Sequence, residues 1–317
     1  MISKIKHALY RTKYVYGSKL PLRSPVDVSL ELSSSCNMSC GYCYHGDKKN
    51  LPFKTGMMSY ITAHKIIYSA WEAGVHSLKF NYRGESTLNP IFGDMTALAK
   101  RLAGGSTFIE RLTNSNFKFD SDRSDIFRGL CNQTKVKVSY DSFDKKVFEA
   151  QRIGGNHDTT TRNIDLFYNH AYRKNTEIVI QAVRTTANKD EDIAHLAKKR
   201  WPEATISIRD MVAGRVEKDV SALENKTRDD SERQSCTQAH VRLMFDWQGR
   251  AGVCCPDIKN ELIVGDIYKN SVKEIFNSEK ARLIREELKN GKAFDRNPCK
   301  NCSSFESYKG FTPSWTS

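Results

Sequence analysis

No stretch of this chain approaches the run of about 18 apolar residues that a membrane-spanning helix needs, and no apolar signal core follows Met1-Ile2-Ser3-Lys4-Ile5-Lys6-His7. Membrane-embedded and secreted classes are therefore set aside, and a cytoplasmic protein is expected. There is no internal repeat and no low-complexity tract, which removes solenoids and fibrous arrays. Nothing resembles a nucleic-acid-binding module. Cysteines are present but odd in number: nine, at 36, 40, 43, 131, 236, 254, 255, 299 and 302. Disulfides cannot pair them all, and without a secretion signal the grouping favours metal ligation in a reducing compartment.

What is there is an ordinary globular composition. The 317 residues are 39% hydrophobic and 27% charged, enough for one large core plus a small appended domain. The formal net charge is +13. Seven ligating thiolates and two oxidised four-iron cores would bring it to about +10, still basic. Such a surface attracts anions without choosing among them: nucleic acid, a phosphorylated small molecule, an acidic peptide or an acidic electron-transfer protein.

Residues 1–24 read as a short helix or arm packed beside the main domain, with Lys4, Lys6, Arg11 and Lys13 among Tyr10, Tyr14 and Tyr16. From Val26 to Leu32 the apolar residues alternate, which predicts a strand running into the first cysteine group. Helical and strand-like segments then alternate: helix near 59–70, strand 77–82, helix 91–103, strand 108–112, helix 122–130, strand 136–140, helix 160–172, strand 177–183, helix 191–200 and strand 205–209. Six strands separated by helices predict a parallel α/β sheet, open or curled into a partial barrel, with its reactive groups on loops leaving the strands' C-terminal ends. The expected division is a barrel over 25–212, a charged linker over 213–235 and a small C-terminal domain with tail over 236–317. Within that last domain Asp246-Trp247-Gln248-Gly249 looks like a hairpin turn, followed by a helical region from Val272 through Ile284.

Cys36, Cys40 and Cys43 place three soft ligands on one short loop. Three thiolates can each hold one iron of a cubane and leave the fourth iron open for chemistry. The competing reading is structural zinc, which wants four ligands and has His45 as a candidate fourth. The spacing of three and then two residues, with Tyr42 before the third cysteine, resembles that of the radical S-adenosylmethionine (SAM) enzymes. The resemblance implies that the open iron binds the amine and carboxylate of SAM. It also implies reductive cleavage of SAM to a 5′-deoxyadenosyl radical, which takes a hydrogen atom from substrate. Tyr42 would then lie near the adenine.

Further segments carry the same resemblance. Tyr82-Arg83-Gly84-Glu85-Ser86 is similar to the family's glycine–glycine–glutamate–proline segment, with Arg83 and Ser86 as departures; it implies Gly84 and Glu85 as contacts to the SAM amino group. Thr113-Asn114 resembles a threonine–asparagine–glycine segment. Ser139-Tyr140-Asp141-Ser142 and Arg152-Ile153-Gly154-Gly155 imply Ser139 near the ribose or methionine end of SAM and Arg152 on its carboxylate. Arg184 and Arg209 are candidates for the same cavity or for structural ion pairs. No catalytic base is named by the sequence; Tyr140, Asp141, Arg209 and His240 are candidates.

Cys236, Cys254, Cys299 and Cys302, with 17, 44 and 2 residues between them, suit either zinc or a fully ligated iron–sulfur cluster. The run Cys254-Cys255-Pro256-Asp257 through Cys299-Lys300-Asn301-Cys302 resembles the C-terminal auxiliary-cluster module of SPASM/Twitch proteins. No cysteine follows Cys302, which favours the single-cluster Twitch form. Cys131 reads as a buried core thiol and Cys255 as packing or an alternate ligand.

The combined expectation is an oxidoreductase with two [4Fe-4S] clusters and SAM. It would oxidise a hydroxyl- or amine-bearing carbon by two electrons and pass the second electron to the auxiliary cluster. Peptide modification by crosslinking or epimerisation stands as the alternative, and nucleotide or nucleic-acid modification behind it. About 25 residues precede the barrel, short for a leader-binding domain. Expected partners are a flavodoxin- or ferredoxin-like electron donor and an anionic small molecule or peptide, with no membrane.

Overall fold

The alternation read from the sequence becomes one continuous sheet in the computed structural model, which describes residues 2–103, 108–117, 124–170, 176–211, 236–290 and 297–299. Strands β1 (Asp27–Leu30), β2 (Ser77–Lys79), β3 (Phe108–Thr113), β4 (Lys135–Ser139), β5 (Glu177–Arg184) and β6 (Thr205–Asp210) lie side by side in chain order, every pair parallel. Parallel neighbours need long crossovers. Helices α2 (Tyr60–Glu72), α3 (Phe92–Ala103), α4 (Ser124–Cys131), α5 (Lys145–Gln151), α6 (His157–Asn169) and α7 (Ile193–Arg200) lie in the crossovers. This is the partial-barrel arrangement expected.

One face of the sheet is apolar and one is charged. Val28, Leu30, Leu78, Phe80, Val136, Val138, Ile178 and Ile180 share a buried core with Ile66, Met95, Phe127, Phe148 and Phe167 of the helices and with Trp201, which follows α7. Full burial of each such side chain contributes about 1.5–3 kcal/mol. Because strand side chains alternate, Asp27, Ser29 and Glu31 fall on the other face. There Asp27 ion-pairs with Lys79 and lies 3.7 Å from Arg242, and Lys137 pairs with Glu110 at 2.6 Å. The interior is thus lined by paired charge.

Helix α1 (Ile2–Tyr16) precedes β1. It brings Tyr14 to Lys79 and Arg242, its hydroxyl accepting from Arg242 Nη2 at 2.7 Å. Local signals explain several boundaries. Ser59 caps α2 by accepting from the Thr62 amide, and Gly74 leaves it with φ +68°, a left-handed conformation that glycine adopts freely. Helix α5 was not anticipated; it has seven residues, too few for a periodic pattern, and rests on the Asp144 cap.

The C-terminal portion does not stand apart from this sheet. After α8 (Gln238–Val241), β7 (Arg242–Phe245) pairs parallel with β1, and β8 (Arg250–Gly252) and β9 (Ile263–Asp266) continue antiparallel to give a nine-stranded sheet. The expected hairpin is present, but as an extension of the barrel. The expected single helical region is two helices, α9 (Val272–Phe276) and α10 (Glu279–Lys289), because Ser278 starts a new one by accepting from the Ala281 amide. The linker placed at 213–235 and the tail beyond 300 lie outside the described residues.

Candidate functional site

The cysteine loop leaves the C-terminal end of β1 and is held from two sides. Its backbone donates to the end of α5 and the segment that follows: the Gly41 amide to the Gln151 carbonyl at 3.2 Å and the Ser39 amide to the Ile153 carbonyl at 2.7 Å. From the end of β3, Asn114 Nδ2 donates to Asn37 Oδ1 at 2.7 Å and lies 3.8 Å from Cys36 Sγ. Burial pushes the thiols of Cys36 and Cys40 up and that of Cys43 up to about 11, and each feels its neighbours' charge. A cationic metal centre supplies the charge that would stabilise all three as thiolates.

Zinc would need a fourth ligand beside the three cysteines, whereas a cubane spreads its thiolates over separate irons. His45, the candidate fourth ligand, is buried with Nε2 3.1 Å from the Arg83 carbonyl, to which it donates. Burial lowers its pKa to about 4.

Gly84 shows why its position has no side chain. A Cβ there would lie 2.4 Å from the carbonyl oxygens of Ser33 and Ser35, so the glycine lets this segment press against the start of the cysteine loop. The Glu85 amide then donates to the Ser35 carbonyl at 2.9 Å. Its carboxylate is buried and well supplied with donors: Thr87 Oγ1 at 2.8 Å, the Asn114 amide at 2.9 Å, Thr113 Oγ1 at 3.3 Å, and an ion pair with buried Arg111. Glu85, Thr113 and Asn114, singled out separately in the sequence, therefore form one unit joining the ends of β2 and β3.

Asp141 forms the matching unit at the end of β4. It has no solvent exposure. It receives Arg152 Nη2 at 2.9 Å, the Val183 amide at 2.9 Å and the hydroxyl of Tyr42. Burial works against the charge on Arg152, and Asp141 overcomes it, holding the guanidinium above its ordinary value. The structure thus places Tyr42 and Arg152 together beside Cys40, tied through a carboxylate that the sequence offered only as a candidate base. Ser139 is buried on β4, opposite Gln181 of β5.

Other candidates separate. Tyr140 is buried among aromatic rings with its hydroxyl 2.8 Å from both His157 and Thr161, on the helix-covered face. Arg184 donates to the carbonyls of Asn188 and Glu191, a turn staple. Cys131 is partly rather than fully buried against the core. Of the second group, Cys236, Cys254 and Cys299 are partly buried and pack against the main core, with Cys255 also partly buried; Cys302 lies outside the described residues.

Arg83 and Tyr82 join the two cysteine regions, a relationship the sequence did not disclose. Arg83 pairs with Glu31, and its Nη1 donates to the Ile258 carbonyl at 3.0 Å. The Tyr82 hydroxyl donates to the Asp257 carbonyl at 2.7 Å, three residues after Cys254. Trp247 covers the join, its amide donating to Glu31 and its indole to the Lys54 carbonyl.

Residues 236–303 match the family model described as SPASM, iron-sulfur cluster-binding domain. Among solved structures, the chain is similar to BtrN in complex with AdoMet and 2-DOIA, at 16% identity and TM-score 0.60 over 87% of this chain and 92% of that one. It is also similar to anSMEcpe with bound AdoMet, at 15% identity and TM-score 0.62 over 88% of each chain. A third is Streptococcus suis SuiB bound to precursor peptide SuiA, at 12% identity and TM-score 0.63 over 90% of this chain and 71% of that one. Curated protein sequences give no match. These likenesses show the fold: a parallel partial barrel with three cysteines on the loop after β1, and residues 236–303, which match a SPASM iron-sulfur cluster-binding domain, contribute β7–β9 to the same sheet.

Proposed function

We propose that the protein reductively cleaves SAM and uses the resulting radical to oxidise a hydroxyl- or amine-bearing carbon by two electrons. The observation that carries this reading is the convergence of the Glu85–Thr113–Asn114 and Tyr42–Asp141–Arg152 units on one three-cysteine loop. Cys36, Cys40 and Cys43 would hold a [4Fe-4S] cluster that supplies the electron for SAM cleavage. Cys236, Cys254, Cys299 and Cys302 would hold a second cluster that accepts the electron released on oxidation.

The chain's own residues then divide the work of binding. Glu85 offers buried negative charge to an ammonium group; the two 3.3 Å contacts from Thr113 are its weakest and the ones such a group would displace. Arg152 offers a guanidinium to a carboxylate while Asp141 fixes its direction. Tyr42, held by Asp141, presents its ring for packing against an adenine. Ser139 stands on the neighbouring strand end for the ribose or methionine portion. A flavodoxin- or ferredoxin-like protein would supply electrons.

Peptide modification is the second reading, supported by the similar structures of SuiB with precursor peptide SuiA and anSMEcpe with Cp18Cys peptide. Anaerobically reconstituted protein incubated with SAM, a reductant and candidate small-molecule alcohols, amines or peptides separates the two by product mass. A small-molecule product lighter by two hydrogens supports oxidation. A peptide carrying a new intramolecular bond or an inverted centre overturns it, and failure to form 5′-deoxyadenosine overturns both.

A further inference from the structure

Position 111 breaks the pattern of its strand. Side chains alternate along β3, so Glu110 joins Lys137 on the charged face while Ile109 and Arg111 turn towards the helices. The register sets Arg111 beside Val136 of β4, and both Ile109 and Val136 belong to the buried apolar core. Arg111 puts a guanidinium with no solvent exposure where that pattern calls for a hydrocarbon.

Its surroundings compensate the charge poorly. The guanidinium lies 4.8 Å from the centre of the Phe92 ring, and Nη1 donates to the Phe80 carbonyl at 3.3 Å. Nε has no hydrogen-bond partner among the described residues. A buried ion pair is often no more stabilising than apolar residues of similar volume, so core stability alone gives little reason for an arginine here.

What Arg111 holds is Glu85. Among the described residues it is the one cation paired with that carboxylate, and the donors fall unequally on the two oxygens. Oε1 takes Arg111 Nη2, the Thr87 amide at 3.2 Å and Thr87 Oγ1 at 2.8 Å. Oε2 takes the Asn114 amide at 2.9 Å, and Thr113 Oγ1 stands 3.3 Å from both oxygens. A carboxylate oxygen offers about two lone-pair directions. Oε1 is therefore full, while Oε2 keeps a direction for one more N–H. Asn114, its donor, also lies 3.8 Å from Cys36 Sγ through Nδ2.

We propose that Arg111 is a positioning residue for SAM: from the apolar side of the sheet it locks Oε1 of Glu85, so that Oε2 is the oxygen presented to the ammonium group. This rests on the reading of Glu85 as the amine contact and adds to it a residue that itself never touches SAM. The planar fork suits the task, because one nitrogen reaches the carboxylate while another is anchored on the Phe80 carbonyl. Without it the carboxylate is free to turn towards the hydroxyls of Thr87 and Thr113.

The test measures equilibrium binding of SAM and of a SAM analogue with hydrogen in place of the α-amino group, on anaerobically reconstituted protein of unchanged iron content. The ratio of the two affinities isolates the amine contact. Glu85→Gln should lower that ratio by about tenfold or more; an unchanged ratio overturns the reading of Glu85 and this proposal with it. Arg111→Met, of similar length and suited to the apolar site, should also lower the ratio by about tenfold, with the analogue's own affinity nearly unchanged. Arg111→Lys should lower it less, since one ammonium replaces the fork. Added to Glu85→Gln, Arg111→Met should change the ratio no further. An arginine that merely supports the core would weaken both ligands alike and leave the ratio at its wild-type value. That result, with Glu85→Gln still lowering the ratio, overturns the proposal alone, as does an equal drop from Arg111→Met in the Glu85→Gln background. Should Arg111→Met not fold, Arg111→Lys decides by the same ratio.

Discussion

Arg83 grips both carboxylate oxygens of Glu31, Nε at 2.7 Å and Nη2 at 2.6 Å, with both side chains almost entirely withdrawn from solvent. Phe53 and Tyr82 bracket the guanidinium at 4.5 and 4.8 Å. Burial raises the pKa of Glu31, and the arginine opposes that rise. Arg83→Leu would strand the carboxylate and should destabilise the protein by about 3–5 kcal/mol, whereas Glu31→Leu with Arg83→Leu should cost far less than the two singles together. Urea unfolding of the four proteins in that cycle checks this; additive losses would remove the pair from the account.

Gly84→Ala places a methyl group against two backbone carbonyls that have no flexible side chain to yield. A stability loss of about 1–3 kcal/mol is expected, together with SAM binding weakened by about tenfold or more as Glu85 shifts. Equilibrium SAM binding at unchanged iron content is the measurement, and wild-type affinity would show that the close approach is not needed.

Replacing Cys36, Cys40 and Cys43 together by alanine should reduce iron from about eight to about four atoms per chain and abolish 5′-deoxyadenosine formation. Iron analysis and chromatography of the reaction mixture report both. Retained cleavage would mean that the open-iron site lies elsewhere.

His240 makes acid stability a readable quantity. The folded protein holds this imidazole neutral down to about pH 4, while the unfolded chain takes up its proton near pH 6.5. The unfolded state therefore binds more protons between these values, and stability falls as pH drops from about 6.5 towards 4, by up to about 1–3 kcal/mol from this residue. Burial opposes protonation first, and the cationic neighbours Arg285 and Lys289 add to it. His240→Gln should flatten that part of the stability–pH curve. An unchanged slope by denaturant unfolding at pH 6.5, 5.5 and 4.5 would assign the sensitivity to other groups.

The elements most visible in the sequence were those with a local cause. The period-two run from Val26 to Leu32 and the cap at Ser59 gave β1 and α2 because alternation and N-capping are written within a few residues. The cysteine loop was visible because ligand spacing is also local. What stayed hidden depends on long-range meetings. Glu31 looked like one more polar residue of an alternating strand until Arg83 closed on it. Asp141 looked secondary to Ser139 and Arg152, yet it receives Tyr42, Arg152 and the Val183 amide. The pairing of the C-terminal hairpin with β1 stayed hidden because no local pattern states which strand edge it will join.

That edge governs the order in which the molecule can be completed. Until β7 arrives, the Asp27–Leu30 side of β1 presents a bare row of amides and carbonyls, including the Val26 amide and the Glu31 amide that β7's segment satisfies at 2.8 and 2.9 Å. A nascent chain emerging N-terminus first must hold this adhesive margin open until its last quarter has been synthesised. Biogenesis should accordingly be the vulnerable stage, with shortened chains that lack β7 recovered as aggregates.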